Sequence, residues 1–253
     1  MSKFVDKLQR LSKSPAPSIG FHPSASESKS SAMLLIAELS GVDVKEASIM
    51  ADVNVDAGLI LNQNLNTKIV KQIVKAVDDI PLGIFLKDIS KDKVNELVGS
   101  GCDFVVFDMK MPAVALQGEK VGKFLMIEPS LDQGLVRAIN GLDIDGVFIS
   151  KGEESFITVE HLLIYQRFGE LLDKPILVIL PSLVTGVELG NLWKAGVGAI
   201  TVPPSQSTEA LAKLKGMIDS LPKEAKRQRG KVGVILPHYG GDVDIGEDEE
   251  EEI

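Results

Sequence analysis

Ionisable and polar side chains recur in this 253-residue sequence where short apolar runs end. Three lysines and three carboxylates that met at one place could hold a small anionic substrate, exchange protons with it and shift one another's pKa values. We predict three catalytic residues, which are Lys87, Asp108 and Glu38. Six further residues are predicted to bind the substrate, and these are Lys110, Lys151, Glu128, Asn62, Ser182 and Ser205.

The apolar runs themselves predict the elements that position these residues. Eight runs start 20 to 30 residues apart, which leaves room for one helix after each. They are apolar on both faces, as the strands of a parallel sheet covered by helices must be. Several intervening segments show helical spacing, for example Ile69, Ile73 and Val77. The predicted strands are Met33–Glu38, Ala57–Asn62, Leu82–Lys87, Asp103–Asp108, Lys123–Glu128, Asp145–Ser150, Pro175–Leu180 and Gly198–Pro203.

Eight alternating strand–helix units in about 190 residues predict an α/β fold, a single closed (β/α)8 TIM barrel, rather than an open doubly wound sheet. The carboxyl ends of all eight strands of such a barrel meet at one mouth, so the candidate residues would converge there. The segment from Met109 to Gly122 leaves little room for a full fourth helix because it contains Met111-Pro112 and Gly118. We expect a short turn or loop there.

The segments outside the barrel differ in composition. Residues 1–31 comprise an amphipathic helix and a segment rich in Ser and Pro, and residues 32–222 form the predicted barrel. Residues 223–241 form an extension that contains the apolar stretch Val232–Leu236. Residues 242–253 carry eight acids in twelve positions, which predicts a solvated, disordered tail.

The charge and the cysteine content limit which classes of partner and which cellular compartment are expected. Without the eight acids of the tail the chain has 28 acids and 27 bases, so it lacks the basic surplus that nucleic-acid binding requires. No apolar run approaches the ~20 residues that span a bilayer. The single cysteine, Cys102, excludes an internal disulfide and suits a reducing compartment, so we expect a cytoplasmic protein. A small-molecule ligand is the expected partner, and both a monomer and a homo-oligomer are open.

Three helix starts carry the pattern of a reciprocal cap, in which a side chain at the start and a second one three residues later satisfy free N–H groups. The predicted caps are Asp43 with Glu46, Ser130 with Gln133, and Thr185 with Glu188.

Around the third strand, residues 81–89 read PLGIFLKDI, an apolar strand that ends in a lysine–aspartate pair. This segment resembles the third strand of indole-3-glycerol-phosphate synthase. More broadly, residues 80–108 and 140–203 are similar to the ribulose-phosphate-binding barrel superfamily. The resemblance implies an aldolase-type barrel in which Lys87 acts as a general acid.

The sequence departs from that synthase at three other strands. The first strand ends Ala37-Glu38, where the family presents a lysine near a Ser-Pro-Ser loop. Aligning the fifth strand on Ser130 puts Ile127 where the family has glutamate, so Glu128 would point to the opposite face. The asparagine motif of the sixth strand is replaced by Ile149-Ser150-Lys151. We therefore expect a different reaction.

The usual phosphate-binding site of such barrels is also altered. It uses backbone N–H groups after strands 7 and 8. Here Pro181, Pro203 and Pro204 remove three donors from those two loops. Either Ser205, Ser207 and the following helix hold a weaker anion, or the substrate is not phosphorylated, which we favour.

Other kinds of site find less support. His22, His161 and His238 are scattered and predict no metal site, and no cofactor motif is present. A Schiff-base aldolase could use Lys151, but its charged neighbours Glu153 and Glu154 would keep that amine protonated. Cys102 is expected at the opposite end of the barrel and to be structural.

The sequence thus predicts a barrel that binds a small polar or anionic metabolite and acts on it as a lyase or isomerase by proton transfer. Lys87 would be the acid, Asp108 or Glu38 the base or orienting carboxylate, and Lys110 or Lys151 the anion holder. The alternative is a barrel without catalysis that serves as a binding or assembly module.

Overall fold

A computed structural model describes residues 2–12, 31–40, 44–61, 67–77, 79–87, 96, 99–113, 121–150, 154–204 and 206–222. Eight parallel strands close into a barrel in the order β1 to β8, with β8 paired to β1. The strands are β1 Leu34–Leu39, β2 Ala57–Ile60, β3 Leu82–Leu86, β4 Phe104–Phe107, β5 Gly122–Ile127, β6 Gly146–Ile149, β7 Ile176–Ile179 and β8 Val197–Val202. Each predicted strand starts within one residue of an observed one, so the predicted barrel is confirmed.

Seven α-helices accompany the strands in the described part of the chain. They are α1 Lys3–Ser12, α2 Val44–Val53, α3 Thr67–Val77, α4 Gln133–Ala138, α5 Val159–Leu171, α6 Gly186–Lys194 and α7 Thr208–Asp219. A 3-10 turn, Ile139–Gly141, extends α4. After β4 the chain makes a tight turn in which Met111 N–H donates to the Asp108 carbonyl at 3.2 Å. The rest of the expected loop, residues 114–120, lies outside the described residues.

Two separate apolar clusters explain why the strands are apolar on both faces. The outer cluster joins alternate strand residues to the helices, for example Ile84 of β3 with Ile73 of α3. The inner cluster fills the barrel and is rich in rings, with Phe104, Phe124 and Phe148 in successive edge-to-face contact. Burial on both sides is the condition that a parallel sheet wrapped by helices imposes.

The amino-terminal helix α1 closes the end of the barrel where the strands begin. Its Phe4, Val5 and Leu8 belong to the inner cluster, and the Phe4 ring stacks on Phe104 with 4.5 Å between centroids. Glycine at the inner-facing start of β5 leaves space for this helix, because a Cβ on Gly122 would lie 2.9 Å from a Val5 methyl group. The apolar face of the predicted amphipathic helix therefore packs against the barrel interior and closes this end of the barrel.

Aspartates just before β2, β4 and β6 form hydrogen bonds to other segments at the same end of the barrel. Asp56 accepts the Leu35 N–H at 2.8 Å, and Asp145 accepts the Lys123 N–H at 2.8 Å. Asp103 instead accepts hydrogen bonds from the first turn of α1. These acids are therefore structural and lie far from the mouth.

The helix caps agree with the sequence in part. Thr185 and Glu188 form the predicted reciprocal cap of α6. The predicted cap at Ser130 is wrong, because Asp132 caps α4 by accepting the Gly134 N–H. Asp43 lies outside the described residues. The structure adds a reciprocal cap on α5 that the sequence reasoning missed, between Thr158 and His161.

Several expectations concern segments beyond the described part. They are the Ser/Pro-rich segment over residues 13–30, the extension and the acidic tail. The helices that the structure does describe are each too short or too polar to cross a lipid bilayer.

Candidate functional site

Strand alternation decides which candidate side chains face the barrel axis. Glu38 lies in β1 opposite Leu59, a member of the inner cluster. Lys87 follows β3 two residues after Phe85, which packs against that cluster. Asp108 and Glu128 continue the inner faces of β4 and β5 in the same way, two residues after Val106 and Met126. Four strands thus place an ionisable residue on the inner register at the carboxyl end; the residues are Glu38, Lys87, Asp108 and Glu128.

Lys87 and Asp108 are neighbours in this ring. Leu86 pairs with Phe107 across β3 and β4, so the next residue of each strand follows in register. Neighbouring strands lie about 4.8 Å apart, which puts opposite charges side by side. Lys87 is exposed and Asp108 half-buried. No ion pair within 4.0 Å joins the Lys87 ammonium to a carboxylate of the described residues.

Asp108 also starts the turn that follows β4. Its Oδ1 accepts the Lys110 N–H at 2.9 Å. This bond fixes the carboxylate at the end of the strand. The exposed side chain of Lys110 lies two residues further on, where it can reach an anion over the rim.

Glu38 lies within its strand, whereas Asp108 and Glu128 follow theirs. It is half-buried and is the penultimate residue of β1, which runs one residue further than predicted. A recess of about 30 Å³ lies beside it, bordered also by Pro203 and Gln206. Such a volume holds about one water molecule.

The fifth strand corrects one sequence inference. Ile127 pairs with Ile149 and packs in the outer cluster against the helices. Glu128 therefore lies on the inner register, and it is exposed at the rim. The alignment on Ser130 had assigned the inner position to Ile127, whereas Ile127 lies on the outer face.

Of the remaining predicted binding residues, Ser182 alone lies in the described part of the chain. Ser182 is half-buried in the loop after β7, where its hydroxyl donates to the Leu183 carbonyl at 3.4 Å. Asn62, Lys151 and Ser205 lie outside the described residues. Ser207 caps α7 by accepting the Ala210 N–H at 3.2 Å, so its hydroxyl already has a structural role.

Sequence reasoning missed Thr201, a fully buried polar residue of β8. It pairs with Ile36 and Ile179, both in the inner cluster, so its side chain faces the barrel interior. Its Oγ1 has no hydrogen-bond partner among the described residues. The signal in the sequence was a lone hydroxyl residue in the otherwise apolar strand Val197–Val202.

A larger cavity borders the site from outside the barrel. Its volume is about 290 Å³, and it lies between the outer faces of β4 and β5 and helix α4. Asp108 forms part of its edge. Over the described residues, no cluster of three or more His, Cys, Asp or Glu side chains could hold a metal ion.

The chain matches no known family model, and no curated protein resembles it in sequence. Solved structures do resemble it. A point mutant of the tryptophan synthase alpha subunit from Pyrococcus furiosus has a TM-score of 0.57 and 13% identity, over 74% of this chain and 97% of that chain. Another structure of that subunit has a TM-score of 0.55 and 11% identity, over 78% and 94% of the two chains.

Likeness at this level of identity shows the fold and leaves the activity open. It agrees with the predicted closed (β/α)8 barrel. The protein has a closed (β/α)8 architecture and shares its fold with the tryptophan synthase alpha subunit.

Proposed function

We propose that the protein binds a small polar or anionic metabolite at the carboxyl end of its barrel and acts on it as a lyase or isomerase, in the cytoplasm. The observation that carries this proposal is the Lys87–Asp108 pair, in which opposite charges follow adjacent strands on the inner register. Two further acids, Glu38 and Glu128, share that register. The fold likeness to an enzyme subunit supports an enzymatic role.

Proton transfer is the chemistry that suits these groups. The Lys87 ammonium would donate a proton to an oxygen of the substrate while Glu38 takes one from carbon. The Asp108 carboxylate, which follows the neighbouring strand, would orient the substrate. Lys110 would bind an anionic group at the rim, since its side chain is exposed there.

A substrate without a phosphate fits the loops best. Pro181 and Pro203 follow β7 and β8 at positions where N–H donors would hold a phosphate. One or two lysines at an open rim are enough to bind a carboxylate, which carries less charge than a phosphate.

One observation favours the second candidate, a binding module without catalysis. The cavity of about 290 Å³ that touches the site lies outside the barrel and does not include Lys87. Lys87 itself is exposed. An enzyme mouth more often encloses its reacting groups in a pocket.

A ligand screen with a matched pair of variants tests the proposal. Hydroxy acids, keto acids and sugar acids, each with a phosphorylated analogue, would be screened by thermal shift, and hits followed by proton NMR for turnover. We expect a carboxylate to stabilise the wild type, with binding at least about tenfold weaker in Lys87→Met. Lys194→Met, at an exposed position ending α6, should bind as the wild type does.

Two outcomes would contradict the proposal. If Lys87→Met keeps the same set of stabilising ligands, the mouth is not the binding site. If a ligand binds through Lys87 but is never converted, the binding module replaces the enzyme.

A further inference from the structure

The cavity of about 290 Å³ outside the barrel, here called the β4–β5 cavity, is almost entirely apolar. Its floor is the outer face of two paired residues, Phe107 of β4 and Leu125 of β5. One wall is helix α4 with the turn after it. The described lining comprises Phe107, Asp108, Met109, Met111, Pro112, Ala113, Leu125, Leu135, Ala138, Ile139 and Leu142.

Two described segments border this space on either side. Here β4 is followed by a tight turn at residues 108–111, and α4 on the other side is only six residues long. Two methionines of that turn, Met109 and Met111, border the cavity, and their flexible side chains adapt to differently shaped ligands.

Exposed apolar side chains surround the opening of the cavity. Met109 is 56% exposed, Leu135 54% and Leu142 40%. Large apolar residues that are exposed together around a concave surface mark a binding site. The rim and the cavity are thus two observations that point to the same place.

We propose that the β4–β5 cavity binds a small uncharged apolar molecule, aromatic or branched aliphatic, of about the size of two fused rings. A cavity of about 150 Å³ lined by Leu, Ile and Phe holds benzene, so one nearly twice as large accommodates a bicyclic compound. Asp108 is the single charged residue of the described lining, and its Oδ1 already accepts the Lys110 N–H. An anionic ligand would meet this carboxylate and would lose its hydration against apolar walls.

This cavity lies outside the barrel and shares Asp108 with the mouth, and the apolar binding proposed for it does not depend on the proposed reaction. A hydroxyl on the ligand could donate to Asp108. The wall residues otherwise offer contact area and no hydrogen-bonding groups of their own side chains, which selects for shape and low polarity.

The test uses two probes with the same ring system, 2-naphthol and 2-naphthoate, and the full chain with 13C-labelled methionine methyl groups. Met109 and Met111 border the cavity, whereas Met126 packs against the inner cluster and Met217 lies on α7. We expect 2-naphthol to shift the Met109 and Met111 methyl signals saturably. The Met126 and Met217 signals should not move, and 2-naphthoate should bind at least about tenfold more weakly.

A charge at the rim of the β4–β5 cavity should weaken the binding of 2-naphthol. Leu135→Lys places an ammonium at an exposed position of α4 and should weaken 2-naphthol binding at least about tenfold. Leu163→Lys makes the same change at a 62% exposed position of α5, away from the cavity, and should leave binding unchanged. Met109→Lys tests the same rim from the turn, should Leu135→Lys fail to fold.

Three results would overturn this proposal. They are no saturable shift at Met109 and Met111, a shift confined to Met126, and equal loss of binding in Leu135→Lys and Leu163→Lys. A shift at Met126 alone would place the probe in the barrel mouth, which leaves the proposed function standing while this inference fails.

Discussion

Asp103 connects the start of β4 to the first turn of α1 through three hydrogen bonds. Its carboxylate accepts from Ser2 Oγ at 2.6 Å, from Lys3 N–H at 2.8 Å and from Phe4 N–H at 2.9 Å. It thereby acts as a cap supplied from 100 residues away in the chain. Charge-assisted bonds to free N–H groups of a helix are among the stronger polar contacts in proteins.

Replacing Asp103 should therefore weaken the attachment of α1 to the barrel. We expect Asp103→Ala to lower the free energy of unfolding by about 2 kcal/mol, measured by urea denaturation. Asp79→Ala is the matched control, because Asp79 is 94% exposed and its pair with Lys3 should contribute little. Equal effects of the two changes would show that the cap does not hold α1.

Thr201 illustrates the opposite case, a buried polar group without a hydrogen-bond partner in the described part of the chain. A Thr201→Val substitution keeps the shape and removes the hydroxyl, so we expect the free energy of unfolding to rise by about 1 kcal/mol. Thr158→Val removes a hydroxyl that caps α5 and should lower the free energy of unfolding by about 1 kcal/mol. A loss of stability in Thr201→Val would indicate that the hydroxyl is paired in solution.

At the scale of elements, α1 acts as part of the barrel core. Phe4 is fully buried, and its ring contacts Phe104 and Phe124 at 4.5 and 5.5 Å between centroids. The two partner rings belong to β4 and β5, so the helix fills the space that short side chains leave at the base of the barrel. A helix of ten residues has little stability alone and depends on this packing.

Phe4→Ala should accordingly destabilise the whole barrel. We expect a loss of about 3 to 5 kcal/mol in urea denaturation, the range for removing a buried ring. Phe156→Ala makes the same change at a 60% exposed position and should have an effect below about 0.5 kcal/mol. If Phe4→Ala unfolds like the wild type while α1 becomes sensitive to protease, the helix is an attachment and the barrel is stable without it.

For the whole molecule, two buried acidic groups predict how stability depends on alkaline pH. Burial raises the pKa of the Cys102 thiol to about 12, and burial also raises the pKa of Tyr165 to about 12. Both groups keep their protons in the folded state at pH values where the unfolded chain loses them. Stability is therefore complete below the ordinary thiol pKa of about 8.5 and falls as the pH rises toward 12.

Urea denaturation between pH 8 and pH 11 measures this effect. The loss should be smaller in Cys102→Ala and in Tyr165→Phe than in the wild type, because each variant removes one titrating group. The folded protein should also resist alkylation by iodoacetamide at pH 8, since the thiol is 7% exposed and protonated. Rapid alkylation without unfolding would contradict the burial of Cys102.

Much of the fold could be predicted because its requirements are local in the sequence. Runs such as the one ending at Leu86 had to be apolar on both faces, and their spacing left room for one helix each. The pair Thr185 and Glu188 was recognisable because cap and partner are three residues apart. The hydrogen bonds between Asp103 and α1 could not be recognised, because the helix lies about a hundred positions away in the sequence.

The candidate site was predictable in kind and less so in arrangement. Strand-end position was enough to select Glu38, Lys87 and Asp108, because parallel strands in a barrel end at one mouth. The inner position of Glu128 required the observed pairing of β5 with β6, and a one-residue error had reversed its face. The unpaired hydroxyl of Thr201 and the β4–β5 cavity are properties of packing that no local pattern encodes.

By itself, the sequence determined the number, order and approximate bounds of the strands, since hydrophobic periodicity follows directly from which faces must be buried. The tertiary structure alone decided that α1 enters the base of the barrel, that Lys87 and Asp108 are neighbours, and that a cavity opens beside α4. The reason is that closure of the ring sets strand register and helix placement together, through contacts between residues far apart in the chain.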